Sequence, residues 1–247
     1  MMLQVMIFLY GVLLGSFYNV VGWRVPMKKS IAKPRSSCEN CGHKLVIWEL
    51  IPIISYILLR GKCRQCKSNI SSLYMITELL TGILFTLVLI HKGFSLEAII
   101  GLTLVSLLVI ITVSDILYML IPNKVLLFFF ALFLVERLFI PLIPWYDSII
   151  GGTVAFALLL TIGVVSKGGM GGGDIKLFAL LGFALGMKIV LLSFILATLL
   201  GAVGGMIGLR AGVFQKGKPI PFGPFIAVGT LLSYFYHEII ISWVFPY

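Results

Sequence analysis

Two aspartates of this chain stand at the edges of long apolar runs, beside residues that break helices. Asp174 ends a glycine-rich run that includes Gly171 and Gly173, so no bulky neighbour shields its carboxylate. Asp115 follows another apolar run and lies shortly before Pro122. An ionisable residue at the edge of a membrane helix is costly and therefore indicates a functional site. Two carboxylates held close together share one proton, so that one can activate water while the other polarises a carbonyl group.

Either aspartate taken singly has a simpler explanation. At the start of a helix, Asp174 would be stabilised by free backbone amides and by the helix dipole. Asp115 in turn could merely cap or snorkel at a helix end. The pair, together with the glycine run, favours catalysis, with Gly171 and Gly173 as the supporting loop.

All four cysteines lie in one basic stretch, as two C-x-x-C pairs separated by 21 residues. Each pair can hold a metal ion from a tight turn, and two pairs complete a tetrahedral zinc shell. His43 could substitute for one of the cysteine ligands. The cysteines could instead form disulfides or remain free thiols, although a cytoplasmic location argues against disulfides. The predicted zinc ligands are Cys38, Cys41, Cys63 and Cys66.

The elements that must position these residues are membrane helices. The chain is 60% hydrophobic and 11% charged, with a mean hydropathy of +1.12, which is typical of a protein whose solvent is mostly lipid. A membrane span needs about 20 apolar residues. We predict an all-α polytopic membrane protein with about eight transmembrane helices and a small cytoplasmic four-cysteine insert. The predicted spans are Leu3–Trp23, Leu73–Ile90, Leu96–Ser114, Val125–Ile140, Ile149–Val165, the short Ile175–Gly186, Ile189–Leu209 and Pro221–Phe245.

Charge predicts the topology. Residues 24–67 contain ten basic residues against Glu39 and Glu49, so this insert is expected in the cytoplasm and the N-terminus outside. Alternation then puts sixteen of the nineteen basic residues inside, and both aspartates at the cytoplasmic ends of their spans. The net charge of +10 is thereby explained without a nucleic-acid partner. The predicted domains are a first transmembrane helix (1–23), the insert (24–72) and a membrane core that carries both aspartates (73–247).

Other residues of the predicted spans are expected to serve helix packing and not catalysis. Glu78, near the start of the second span, could interact with the aspartates or a substrate, but snorkelling or a nearby basic partner is the simpler expectation. The spacings Gly182-x-x-x-Gly186 and Gly201-x-x-x-Gly205 predict close helix contacts.

Further motifs occur in a fixed order along the chain. They are Gly11-x-x-x-Gly15-Ser16-Phe17-x-Asn19 with Arg24-Val25-Pro26, Glu49-x-Ile51-Pro52-x-x-Ser55-Tyr56 with the second cysteine pair, the Asp115 segment, Gly171-x-Gly173-Asp174, and Lys218-x-Ile220-Pro221-Phe222-Gly223-Pro224. In this order they resemble the type IV prepilin peptidases nearly from end to end. One departure is Tyr74-Met75, where that family usually has Tyr-Pro.

The resemblance implies an intramembrane aspartic protease of the Gly-x-Gly-Asp type. Such an enzyme removes the short basic leader of prepilins or pseudopilins after glycine at the cytoplasmic face of the inner or plasma membrane. The resemblance gives the catalytic roles to Asp115 and Asp174 and the cytoplasmic clip to the four cysteines. It also implies N-methylation of the new N-terminal residue with S-adenosylmethionine, whose binding residues are unknown. The processed pilins would serve a pilus, type II secretion or DNA uptake.

Two other functions compete with this prediction. Paired aspartates also relay ions in coupled transporters, and a zinc module could bind a partner on a membrane scaffold. Transporters usually have internal repeats, whereas this chain has one glycine break and no convincing second copy.

Overall fold

The computed structural model describes residues 2–38, 40–167, 169–213, 215 and 219–244, without the side chains of 241, 243 and 244. This part of the chain contains helices, turns and two isolated bridges but no strand, which confirms the all-α class. A single 3₁₀ turn at Ile47–Leu50 precedes the shortest helix. The helices are α1 (Met2–Arg24), α2 (Ile54–Leu58), α3 (Ser72–Lys92), α4 (Leu96–Tyr118), α5 (Asn123–Phe139), α6 (Asp147–Val165), α7 (Gly172–Leu185), α8 (Met187–Arg210) and α9 (Gly223–Val244).

Each predicted apolar run coincides with one helix, because a backbone in lipid must satisfy its hydrogen bonds within the helix. Among the described residues, α1, α3, α4, α6 and α8 are long and apolar enough to cross a membrane. The total of eight spans stays a prediction.

The chain divides into two compact units, Met1–Ala98 and Ile99–Tyr247. In the first unit α1 packs against α3 through small residues. A Cβ on Gly11 would lie 2.9 Å from the Cα of Gly82, and one on Gly15 would lie 2.9 Å from the Cα of Glu78. Small residues let membrane helices approach to backbone contact, so the glycines of α1 set the position of this pair.

In the second unit α7 packs against α5, α6 and α8, and α8 packs against α9. The core includes the fully buried Leu177, Phe178 and Leu181 of α7. Gly182 packs against the backbone of Gly151 in α6, as the small-residue spacing predicted. Gly186 also lies against α6, since a Cβ on Gly151 would be 2.7 Å from the carbonyl carbon of Gly186, and it ends α7 at φ +85. Only glycine adopts this conformation without strain.

Helix α7 is short for a membrane crossing. Its 14 residues extend about 21 Å, against roughly 30 Å for the apolar core of a bilayer. The helix begins at Gly172, so Gly172 and Gly173 are helical and were wrongly predicted to belong to a loop. Asp174 lies in the first turn, where a carboxylate faces the free amides of the helix start.

Candidate active site

Asp115 lies in the last turn of α4, which continues to Tyr118 and therefore past the predicted end of the span at Ser114. Asp115 is 6% exposed, so its carboxylate does not snorkel into water. The Gly223 amide donates to Asp115 Oδ2 at 2.6 Å, and the Phe222 amide also contacts this carboxylate. Both amides belong to the start of α9, whose dipole favours a negative charge at this point.

Asp174 lies half-buried in the first turn of α7 and interacts with the backbone of Gly171. It is also close enough to Asp115 to feel the charge of that carboxylate. The fold of the second unit therefore brings together the two aspartates that the sequence singled out, although 59 residues separate them. A water molecule held between such a pair can be activated for attack on a carbonyl group.

The two predicted supporting glycines are places where a side chain would collide with the site. A Cβ on Gly171 would lie 2.8 Å from Asp174 Oδ2, and one on Gly173 would lie 2.9 Å from the Cβ of Ile121. Ile121 belongs to the connection between α4 and α5, just after Asp115. Glycine at position 173 thus lets the start of α7 approach the end of α4.

Sequence reasoning missed the contact of Phe222 and Gly223 with Asp115, because nothing in this segment of sequence shows which group its amides meet. A Cβ on Gly223 would lie 2.8 Å from Asp115 Oδ2 and 2.9 Å from Asp115 Cβ, so the close contact requires glycine. A signal was present in Gly223-Pro224, since proline is favoured in the first turn of a helix. Free amides were therefore to be expected there. Lys216, Gly217 and Lys218 lie outside the described residues.

The four cysteines come together in the first unit, with all four sulfur atoms within 4.8 Å of one another. Cys38 Sγ lies 3.8 Å from Cys66 Sγ, and Cys41 Sγ lies 3.9 Å from Cys63 Sγ. Tetrahedral zinc with bonds of about 2.3 Å requires sulfur atoms roughly 3.8 Å apart. The cluster therefore fits a four-coordinate metal, and its cysteines are free of disulfides.

Two segments with the same hydrogen-bonded turn build the cluster. We call each C-x-x-C pair with its turn a knuckle. In each knuckle the amide of the first cysteine donates to the carbonyl five residues later. The amide four residues later donates to the carbonyl of that cysteine. An isolated antiparallel bridge closes each turn, Ser37 to Lys44 in one and Lys62 to Asn69 in the other. At the same place in the turn, Gly42 has φ +71 and Lys67 has φ +59.

Hydrogen bonds within the cluster favour thiolates at two of the four cysteines. The hydroxyl of Ser68, 3.1 Å from Cys66 Sγ, is the largest cause that lowers the Cys66 pKa to about 6. The amides of Cys41 and Asn40 lower the pKa of Cys38. Since the thiolate is the form that binds metal, these donors favour metal binding at Cys38 and Cys66. Burial and the neighbouring cysteines instead raise the pKa of Cys41 to about 11.

His43 is not a ligand, which corrects the substitution considered from the sequence. Its Nε2 lies 3.1 Å from Glu49 Oε2, and the four-cysteine cluster is complete without it. Glu49 Oε2 also accepts the Val46 amide at 3.0 Å, and this bond, followed by the contact with His43, lowers the Glu49 pKa. Instead of binding a metal, His43 pairs with Glu49 and so links the first knuckle to the 3₁₀ turn.

Among the described residues no basic side chain pairs with Glu78, and its carboxylate does not snorkel. It is 7% exposed, and its Oε2 accepts the Ile53 amide at 2.7 Å, while Ser16 of α1 also hydrogen-bonds to it. Asn19 of α1 lies in the same unit and accepts a hydrogen bond from Thr77 at 2.6 Å. Polar groups buried between α1 and α3 thus satisfy one another, as a membrane interior requires.

The chain is similar to known proteins over most of its length. Residues 9–92 match the family model described as bacterial peptidase A24 N-terminal domain, and residues 102–206 match the one described as type IV leader peptidase family. No solved structure matches the chain significantly.

Curated relatives carry one common name, prepilin leader peptidase/N-methyltransferase. The relative from Bacillus subtilis is 44% identical over 236 residues, 96% of this chain and 95% of its own length. The relative from Pseudomonas aeruginosa is 34% identical over 91% of this chain and 87% of its own, and that from Neisseria gonorrhoeae is 33% identical over 88% and 85%. The chain, with its aspartate pair and cysteine cluster, belongs to the type IV leader peptidase family.

Proposed function

We propose that this protein cleaves the basic leader from prepilins or pseudopilins after a glycine and N-methylates the new N-terminal residue. The observation that carries the protease half is the electrostatic contact between Asp115 and Asp174 at the ends of two helices. The names of the relatives support both activities.

In this proposal Asp115 is the ionised carboxylate and the general base. Its orientation is held by the amides of Phe222 and Gly223, which remain available to stabilise its charge while it takes a proton from water. Asp174 then donates its proton to the carbonyl oxygen as the water oxygen attacks the carbonyl carbon. As the tetrahedral gem-diol collapses, the C=O bond re-forms and the C–N bond breaks. The proton taken by Asp115 passes to the leaving amine, and a hydroxyl of the intermediate returns a proton to Asp174.

The proposed location is the cytoplasmic edge of the inner or plasma membrane, with the N-terminus outside. The positions of the basic residues support this orientation. A pilin precursor has its cleavage site where a basic leader meets an apolar stem, so carboxylates at that depth suit the substrate. The stem would enter laterally from the lipid, and crosslinking it only to the outer helix ends would contradict this route.

The cysteine cluster is proposed to bind Zn²⁺ as a structural clip. Cys38, Cys41, Cys63 and Cys66 would be its ligands, and their mutual distances support a tetrahedral ion. Bound zinc would hold the two knuckles together, in a module too small to build a large apolar core.

The proposed methyl donor is S-adenosylmethionine, which supplies an electrophilic methyl group to the new amine. This assignment rests on the name of the relatives, and no residue of this chain is assigned to the donor. The ion-coupled transporter considered from the sequence is not favoured, because the family and its relatives are peptidases by name.

Mass spectrometry of a co-expressed prepilin tests both halves of the proposal, because it reports the cleavage site and any added methyl group. The product should lack the leader. It should also be about 14 Da heavier than the unmethylated fragment, because methylation adds one CH₂ unit. Asp115→Asn and Asp174→Asn should each leave the precursor intact. Cleavage by either variant would rule out the aspartyl mechanism.

A further inference from the structure

The cysteine module carries an apolar ridge whose large side chains are exposed in the described part of the chain. The 3₁₀ turn Ile47–Leu50 and helix α2 contact each other and present large side chains outward. Ile47 is 80% exposed, Trp48 78% and Leu58 77%. Exposed apolar patches of this kind mark an interaction surface. The ridge consists of Ile47, Trp48, Leu50, Ile54, Ile57 and Leu58.

A partly buried hydrogen bond fixes the depth of this ridge relative to the membrane helices of the first unit. Between the 3₁₀ turn and α2, the Ile53 amide donates to Glu78 of α3 at 2.7 Å. Glu78 lies six residues after Ser72, the first residue of α3, so the bond is about 9 Å down the helix axis. The turn at Ile53 is therefore held at the level of the second turn of a membrane helix, within the first unit.

The backbone at Ile53 indicates that this position is enforced. Ile53 has φ +62, an unfavourable conformation for a β-branched residue that persists only where surrounding contacts impose it. Glu78 supplies such a contact, and Ser16 of α1 binds the same carboxylate. Two membrane helices thus hold the turn that joins the two halves of the ridge.

The charge around the ridge suits an anionic lipid surface. The insert has ten basic and two acidic residues, and Lys44, Arg60, Lys62 and Arg64 flank the ridge in sequence. Amphipathic segments at an interface bury their apolar face roughly 5–10 Å into the headgroup boundary while basic residues bind anionic lipids. Tryptophan is itself enriched at this boundary.

We propose that the ridge is an interfacial membrane segment that lies in the headgroup boundary of an anionic leaflet and anchors the cysteine module there. A soluble partner could bind the ridge only if the ridge lay above the membrane surface. The ridge lies at the level of the second turn of a membrane helix, which favours lipid as its partner. Its basic flanks would repel the basic leader of a prepilin. The proposal is independent of the aspartate chemistry.

Depth-dependent quenching of Trp48 tests this inference. The full chain with Trp23, Trp145 and Trp243 changed to Phe would be placed in phosphatidylcholine vesicles with or without phosphatidylglycerol. The vesicles would contain lipids brominated at different acyl positions. We expect Trp48 to be quenched most by bromines just below the headgroups and little by aqueous acrylamide. The matched control moves the single tryptophan to an exposed knuckle position by Trp48→Phe and Gln65→Trp, which should reverse both results.

Two outcomes would overturn the proposal. Quenching of Trp48 by acrylamide to the same extent as the Gln65→Trp control would put the ridge in water. Protection from both acrylamide and brominated lipid would mean that protein covers it. A further variant, Arg60→Glu with Lys62→Glu, should abolish the deeper insertion expected in phosphatidylglycerol vesicles while keeping contact with lipid. An unchanged response to phosphatidylglycerol would refute the electrostatic part.

Discussion

The outermost cysteines of the cluster, Cys38 and Cys66, are 28 residues apart in sequence, whereas Asp115 and the Gly223 amide that holds it are 108 residues apart. Two copies of one hydrogen-bonded turn build the cluster, so local backbone geometry determines where its sulfur atoms lie. Helix packing within the second unit determines where the aspartates lie. The clip should therefore be sensitive to its turns and ligands, and the aspartate site to small residues where helices and connections meet.

The largest expected effect is the loss of peptide cleavage on changing either of the two aspartates that we propose to be catalytic. Removing a general acid or base costs about 10²–10⁴-fold in rate, so Asp115→Asn and Asp174→Asn should each lower prepilin cleavage by at least about 10²-fold. Metal content of the cysteine module should stay unchanged, because the module belongs to the other unit. The measurements are initial rates of cleavage in detergent and zinc content by mass spectrometry.

Asp147→Asn is the matched control, since Asp147 lies at the other end of the same unit's helices and has a capping role. Its Oδ1 accepts the Met187 amide at the start of α8, at 3.2 Å. The neutral amide retains an oxygen acceptor, so cleavage should remain within a fewfold of the original rate. A loss equal to that of the active-site variants would show that any buried charge change inactivates the protein.

The second effect tests the packing contact that orients Asp115. Gly223→Ala should displace the carboxylate, because the added Cβ would lie 2.8 Å from its Oδ2. A displacement on the order of 1 Å can cost about 10²-fold in rate. Gly205→Ala is the control, since its Cβ would meet only Ile220 at an ordinary 3.5 Å. Equal rates for both variants would remove Gly223 from the site.

The third effect separates the clip from the proteolytic chemistry. Changing the four cysteines to Ser should abolish zinc binding and make the insert sensitive to limited proteolysis, because the metal would no longer join the knuckles. Methylation of the product should fall more than cleavage, as measured on the same co-expressed prepilin. Complete and equal loss of both activities would instead make the clip essential to the whole enzyme.

The smallest effect tests the repeated turn itself. Lys67 has φ +59 where the first knuckle has Gly42, and a left-handed conformation costs roughly 1–2 kcal/mol for residues other than glycine. Lys67→Gly should therefore slow zinc loss to a chelator, whereas Gly42→Ala should hasten it. Faster zinc loss from Lys67→Gly would mean that the lysine side chain contributes more than its backbone conformation costs.

The sequence by itself determined the chemistry-bearing residues and the all-α class. Apolar runs in lipid can satisfy their backbone groups only as helices, and C-x-x-C pairs close on themselves through short-range hydrogen bonds. Both patterns depend on near neighbours, so they could be found without knowledge of packing. Charge alternation also predicted that Asp115 and Asp174 lie at one membrane depth.

Only the tertiary structure decided which groups meet. The amides that hold Asp115 come from α9, Glu78 is satisfied by a distant turn, and His43 pairs with Glu49 instead of the cysteines. Each of these partners depends on how helices or turns far apart in sequence pack. The spacing of residues along the sequence does not reveal these partners, because many different groups could hydrogen-bond to the same carboxylate or imidazole. Other residues can lie against the backbone of Gly173 and Gly223 because neither glycine has a side chain. Only the fold shows that these residues are Ile121 and Asp115.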